Sequence, residues 1–337
     1  MSQFKVEIVR VGKIGKHPNA DTLSVTHVFD FPVVFRTGDF IEGQKAVYVP
    51  VDSLVPTDRP EFEFLKEEGK THARIKAKKL RGIFSMGMIV PICVATFGER
   101  CAELGDNVAE LLGVTKYEPE VPMHWGGQNE RDPGFIPVYT DIDHYRRYPD
   151  ILQPGENVIV TEKLHGANAR FTFHEGRLWV GSHNCIKRDA PESMWWNMAR
   201  KYQLAERLAK FPGHVFYGEV YGHVQDLKYG SKGPVDTWLR FFDVFKWSTG
   251  SYADQDETAN IILGLGLNMV PLLYVGGWQP EFILPLADGS TTLGGQCIRE
   301  GIVIKPAKER RDDRLGRVIL KHVSEGYLTR KSGTEYH

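Results

Sequence analysis

The chain has 337 residues, with 42 Lys and Arg set against 43 Asp and Glu. That length holds two domains, each large enough to bury its own core, and the balanced charge excludes nucleic-acid binding by net charge alone, so any such binding needs local basic strips. Cys93, Cys101, Cys185 and Cys297 show no Cys-x-x-Cys spacing and no paired histidines, which argues against zinc and for a reducing compartment.

Residues 1–10 mix polar and apolar types, so no signal sequence is expected there. Up to about residue 117, β-branched runs such as Val47-Tyr48-Val49 and Met88-Ile89-Val90 alternate with Gly and Pro turns, as in a small barrel. A basic strip from Lys70 to Arg81, including Arg74, borders these strands. Barrels of this kind commonly bind oligonucleotides, and Lys76, Lys78, Lys79 and Arg81 are the candidate RNA contacts.

Pro119, Pro122, Gly126, Gly127, Pro133, Gly134 and Pro137 then mark a linker or an ordered surface loop. The expected division is residues 1–117, a linker over 118–133, and a second domain over 134–337. Beyond it the spacing predicts a helix from Pro191 to Leu208, with an apolar stripe through Trp195, Met198, Tyr202, Ala205 and Leu208. The apolar stretch Ile261 to Gly277 contains Gly264, Gly266, Asn268 and Pro271, so it reads as a buried helix end plus a strand, not a membrane span. The protein is expected to be soluble and intracellular, in the cytoplasm with the nucleus left open, and to have no membrane partner.

The most informative segment is Glu162-Lys163-Leu164-His165-Gly166-Ala167-Asn168, straight after the apolar-rich run Asn157-Val158-Ile159-Val160-Thr161. It places an amine where a strand enters a loop, with Gly allowing close backbone approach to a ligand. Alone, Lys-x-His-Gly is a weak signal. Five β-type runs carrying charge follow it in order: Trp179-Val180-Gly181-Ser182-His183-Asn184, Phe216-Tyr217-Gly218-Glu219-Val220-Tyr221-Gly222, Leu239-Arg240-Phe241-Phe242-Asp243-Val244-Phe245, Glu300-Gly301-Ile302-Val303-Ile304-Lys305 and Val318-Ile319-Leu320-Lys321. Strands of this kind line polar clefts.

This ordered set resembles the six nucleotidyl-transferase motifs of ATP-dependent nucleic-acid ligases and capping enzymes, over roughly residues 134–325. The His in Lys-x-His-Gly-x-Asn is similar to the RNA ligase branch. Lys321 stands near the end of the sequence, so the additional domain that DNA ligases and capping enzymes place after the last motif is expected to come first here. The segments His17-Pro18-Asn19-Ala20-Asp21-Thr22-Leu23 and Lys79-Leu80-Arg81-Gly82-Ile83-Phe84-Ser85-Met86-Gly87-Met88 resemble tRNA-binding OB domains. The whole is similar to the RNA ligase clade typified by the Deinococcus and Naegleria enzymes. The resemblance implies an α+β fold: an OB-fold β-barrel followed by a ligase-type (ATP-grasp-like) nucleotidyl-transferase domain of antiparallel sheets and helices.

The activity implied is that of an RNA ligase (ATP), sealing 5′-phosphate and 3′-hydroxyl ends through lysyl-AMP and AMP-capped polynucleotide intermediates. Its substrate would be nicked duplex RNA or an RNA/DNA duplex, and the protein a monomer. Lys163 is the nucleophile, and with a free pKa near 10.4 only about one lysine in a thousand is neutral at pH 7.4. Lys305 and Lys321 are the cations for the developing phosphoryl charge and complete the catalytic set. Glu219 and Glu300 suit Mg²⁺ or Mn²⁺, and Phe242 matches the aromatic that stacks on adenine. Glu162, His165, Gly166 and Asn168 complete the ATP site with Lys163, Glu219, Phe242, Lys305 and Lys321. His165 is not assigned to the metal.

Three departures from the family pattern stand out, one of them His165 in place of the acid found in other branches. His183 occupies the place of an arginine in the second motif, where Lys187 or Arg188 could substitute. Ile319 replaces the first of two lysines in the last motif, where Arg317 could compensate. The second basic strip, Lys305 to Lys321 with Lys308, Arg310, Arg311, Arg314 and Arg317, is as compatible with a solvated face as with RNA binding. The rival readings are a non-catalytic OB-fold RNA-binding protein, a GTP-dependent capping-type transferase, and a DNA ligase, the last disfavoured by His165 and by domain order.

Overall fold

The computed structural model describes residues 4–92, 103–117, 129–233, 235–295 and 297–330; Cys93 and Cys101 lie outside them. The expected α+β fold is observed, as two compact units: Ser2–Glu118 with Arg146–Pro149, and Pro119–Tyr145 with Asp150–His337. Among the described residues no helix is long and apolar enough to cross a membrane.

In the first unit, Lys45–Val49 lies between Glu7–Arg10 and Met88–Pro91 in an antiparallel sheet. Val47 and Val49 are fully buried there, in a core with Val6, Ile8, Val55, Phe62 and Leu112. The hairpin Leu23–Val28/Phe31–Arg36 turns on Phe29 and Asp30, both at positive φ, a two-residue turn whose twist matches the strands it joins. His17 is buried because its ring spans two segments: Nε2 meets the Leu80 carbonyl at 3.1 Å, and Nδ1 accepts from the Asn19 amide at 3.1 Å. The two OB-like sequence segments are thereby joined side by side.

The second unit is layered. A seven-stranded antiparallel sheet runs in the order Asn129–Glu130, Ile186–Lys187, Arg177–Gly181, Ala167–His174, His214–Gly222, Thr237–Lys246, Ser251–Tyr252. Alternation sends Ala167, Ala169, Phe171, Val220, Leu239 and Phe241 to one face. There they pack against Trp195, Met198, Leu204, Leu208 and Ile262 of the helices. The single helix expected over 191–208 is two, Met194–Lys201 and Leu204–Leu208. They are separated at Gln203, whose left-handed backbone (φ 52°) cannot continue a right-handed helix.

The opposite face of that sheet meets a five-stranded one ordered Asp143–His144, Leu320–Val323, Gly301–Pro306, Asn157–Lys163, Leu272–Gly277, antiparallel except at its first pair. Val215 and Tyr217 on one side and Ile319 and Val303 on the other form the layer between. The apolar stretch 261–277 contains the end of the helix Gln255–Gly264 and the edge strand Leu272–Gly277, whose Leu272 and Val275 are exposed.

Candidate active site

Lys163 ends the strand Asn157–Lys163, which lies between Gly301–Pro306 and the edge strand Leu272–Gly277 and buries Val158, Ile159 and Val160. In register it opposes Gly301, which brings the preceding Glu300 alongside: Lys163 Nζ lies 2.6 Å from Glu300 Oε1. Gly301 permits this because a Cβ there would meet the His322 carbonyl at 2.3 Å. The same holds on the other side, where a Cβ on Gly166 would fall 2.1 Å from the Val220 carbonyl and 3.0 Å from Glu219 Cγ. These two glycines let the Lys163 loop close down on Glu219 and Glu300.

Glu219 opposes Asn168 across the ladder. Desolvation pushes its pKa up to about 8; Lys163 and the Gly166 amide pull it down, and Glu300 pushes it further up. A cation between Glu219 and Glu300 would relieve that strain. The donor set fits a hard divalent ion that retains waters and takes further oxygens from phosphates. Among the described residues no group of three or more His, Cys, Asp or Glu gathers to hold a metal unaided. Asn168 Oδ1, on the residue opposite Glu219, is buried with no hydrogen-bond partner.

Glu162 alternates to the other face of its strand and is 1% exposed. Its carboxylate accepts from the Thr291 hydroxyl and, at 3.0 and 2.7 Å, from the Thr292 amide and hydroxyl, with Arg299 Nε 3.7 Å away. Consecutive residues therefore form two ion pairs, Glu162 with Arg299 behind and Lys163 with Glu300 in front. Both ring nitrogens of His165 are engaged, Nε2 with Asp226 Oδ1 at 2.7 Å and Nδ1 with the Tyr327 hydroxyl at 2.9 Å. Arg330 Nε reaches the other Asp226 oxygen at 2.8 Å and lies over the Tyr327 ring. Asp226, Tyr327 and Arg330 were missed from sequence because no motif marks them.

The two other lysines take different places. Lys321 opposes Val303, two residues along its strand from Gly301, whereas Lys305 is four residues along, opposite Ile159. At about 3.3 Å per residue, Lys305 roots about 13 Å from the level of Lys163. Its amine is ion-paired with Asp243. Asp243 also accepts from the Tyr139 hydroxyl and lies 3.0 Å from Arg317 Nη1. Against burial, which alone would raise it, Arg317 and Lys305 hold the Asp243 carboxyl down at about 2.

Phe242 is half-buried and packs against Tyr139, with ring centroids 4.9 Å apart. Of the candidates beside His183, Arg188 is exposed, while Lys187 is buried. Lys187 donates to Asn129 Oδ1 at 2.9 Å, and its amine sits over the Trp195 ring. Trp195 in turn donates to the Asn168 carbonyl at 2.9 Å, so Lys187 is one indole away from the lysine motif. Burial lowers its pKa.

Of the basic strips, Lys76, Lys78, Lys79 and Arg81 are exposed and form no ion pair among the described residues, while Lys70 pairs with Glu67 and Arg74 with Asp52. The second strip is mostly neutralised: Lys308 by Asp254, Arg310 by Glu156, Arg314 by Asp150, and Arg317 by Asp243 and Glu309.

Residues 156–323 match the RNA ligase family model, and residues 5–92 match an OB-fold domain model. A search of curated proteins finds no match. Among solved structures the chain is similar to Naegleria gruberi RNA ligase in several mutant forms. A lysine-to-alanine mutant with ATP and Mn has a TM-score of 0.83 at 24% identity, over 96% of this chain and 98% of that one. A glutamate-to-alanine mutant with ATP and Mn has 0.81 at 26%, over 96% and 98%. A lysine-to-methionine mutant with AMP and Mn has 0.82 at 26%, over 96% and 97%.

Proposed function

Because this chain joins an OB-fold domain to a domain of the RNA ligase family, we propose that it is an ATP-dependent RNA ligase. It seals 5′-phosphate to 3′-hydroxyl ends at nicks in duplex RNA or RNA-containing duplexes. The observation that carries this reading is the pairing of Lys163 with Glu300 beside the desolvated Glu219: one amine nucleophile and two carboxylates at one mouth.

In the reaction Lys163 Nζ attacks the α-phosphorus of ATP, a P–N bond forms, and pyrophosphate leaves with the electrons of the broken P–O bond. The RNA 5′-phosphate then takes AMP from the lysine, and a 3′-hydroxyl displaces AMP. Glu300 in its ionised form holds the Lys163 ammonium, so engaging Glu300 and Glu219 elsewhere favours the neutral amine. Mg²⁺ or Mn²⁺ held by Glu219 and Glu300 would supply that charge and neutralise phosphate oxygens. Lys321 is the cation for the phosphates. The exposed Lys76, Lys78, Lys79 and Arg81 hold RNA phosphates, an assignment resting on their exposure and on the OB-fold match.

The test is incubation with α-labelled ATP or GTP and Mg²⁺ or Mn²⁺, followed by denaturing electrophoresis, with Lys163→Ala alongside. Acid-labile label from ATP on the unaltered chain only, chased onto 5′-phosphorylated RNA, is the expected result. Label from GTP alone would point to a capping-type transferase, and RNA binding with no label from either nucleotide to a non-catalytic protein.

A further inference from the structure

The strand Thr237–Lys246 carries one residue more than His214–Gly222 can pair. Tyr217 opposes Asp243 and Gly218 opposes Phe241, which leaves Phe242 as the extra residue of a β-bulge. Such a residue is skipped by the ladder that orients its neighbours, so its direction has to be set by something else. On one side Phe241 is fixed by backbone hydrogen bonds of 2.8 Å to Asn268 and from Val270. On the other side stands Asp243, 1% exposed, held by three groups: the Lys305 amine from the facing sheet, the Tyr139 hydroxyl, and Arg317 Nη1 at 3.0 Å. Arg317 is itself fixed by Glu309 at 2.9 and 2.5 Å and lies over the Tyr252 ring at 3.6 Å. Tyr139 belongs to both sides of the arrangement, since its hydroxyl binds Asp243 while its ring packs against Phe242.

We propose that Asp243, anchored by Lys305 and Arg317, is the positioning residue that aims Phe242 at the adenine base, and that Lys305 serves this anchor rather than the phosphates of ATP. The inference rests on the ATP-dependent reading above. Buried charges of this kind are costly unless every one is paired. This cluster of Asp243, Lys305, Arg317 and Glu309 is complete without any ligand, which is the arrangement expected of a brace and not of a phosphate site.

The experiment is equilibrium binding of ATP with Mn²⁺ on a Lys163→Met background, where no covalent step intervenes, with inorganic tripolyphosphate as a second probe. Asp243→Asn and Phe242→Leu are each expected to weaken ATP binding about tenfold, and the double variant also about tenfold rather than a hundredfold, the mark of two residues acting as one. Lys305→Met should weaken ATP and leave tripolyphosphate binding unchanged. Tyr139→Phe, which removes one hydroxyl, should weaken ATP severalfold and keeps the test decisive where Asp243→Asn does not fold. ATP affinity unchanged in Asp243→Asn or Tyr139→Phe, losses that multiply in the double variant, or tripolyphosphate binding lost in Lys305→Met would each overturn the inference. Failure of the Lys163→Met protein itself to bind ATP would refute the ATP reading, and this inference with it.

Discussion

Lys163 Nζ stands 2.6 Å from Glu300 Oε1, and the two residues are brought together by register, because Lys163 pairs with Gly301 and Glu300 is its neighbour in sequence. Glu300→Gln keeps the shape and removes the charge that this geometry uses. Labelling of Lys163 by ATP is expected to fall by about 10²–10³-fold, the usual loss when one preorganised electrostatic group is removed. Labelling at the unaltered rate would mean that Glu300 only braces the lysine.

Glu219 gives a pH dependence. Its folded-state pKa of about 8 lies above the ordinary glutamate value of 4.5, so the native state binds more protons than the unfolded one between those two values. Stability without metal therefore falls as pH rises through that window. Thermal melts in EDTA at pH 6 and pH 8.5 should show unaltered protein losing stability while Glu219→Gln loses less. Parallel curves for the two proteins would contradict this.

Gly166→Ala adds a Cβ that would lie 2.1 Å from the Val220 carbonyl. Backbone is the obstacle, so no side-chain rotation relieves it. A loss of about 2 kcal/mol or more in urea unfolding is expected, together with loss of adenylation. Normal stability and activity would show that the loop sits further from Val220.

Lys321 and Lys305 should separate by phenotype. Lys321→Ala is expected to reduce lysyl-AMP formation by about 10²-fold or more while the melting temperature stays within about 2 °C. Lys305→Met breaks a buried pair and should cost about 3 kcal/mol of stability. The reverse pattern would exchange their roles.

In the OB-fold unit, alanine at Lys76, Lys78, Lys79 and Arg81 together should leave ATP labelling unchanged. RNA affinity should fall, and the slope of log affinity against log salt should flatten by roughly 0.7–0.9 for each phosphate that is no longer neutralised. An unchanged slope in a filter-binding titration would remove this strip from the RNA site.

Much of this was legible from sequence because the strand-borne motifs carry their own context. Lys163, Glu219 and Glu300 converge as their order suggested, and the two OB-like segments meet through His17 and the Leu80 carbonyl. The long-range polar partners were not legible. Asp226 and Tyr327 reach His165 from 61 and 162 residues away in sequence, and Arg330 in turn holds Asp226; no periodicity encodes such contacts. The helix break at Gln203 was hidden for a related reason, since its apolar stripe runs through Tyr202 to Leu208 without a glycine or proline. Nor could composition show that the second basic strip is matched, acid for base, by residues as distant as Asp150 and Glu156.

The back-to-back pairs, Glu162 with Arg299 and Lys163 with Glu300, bear on how this site could be moved. A heptapeptide around the lysine, transplanted into another sheet, would arrive with a buried carboxylate lacking Thr291, Thr292 and Arg299, and with an amine lacking Glu300. The smallest portable unit is therefore two adjacent strand ends plus the turn that supplies the threonines, carried as one cassette. A protein engineer building a nucleotidyl-transferring lysine into a new scaffold has to copy that crossing of charges along with the nucleophile.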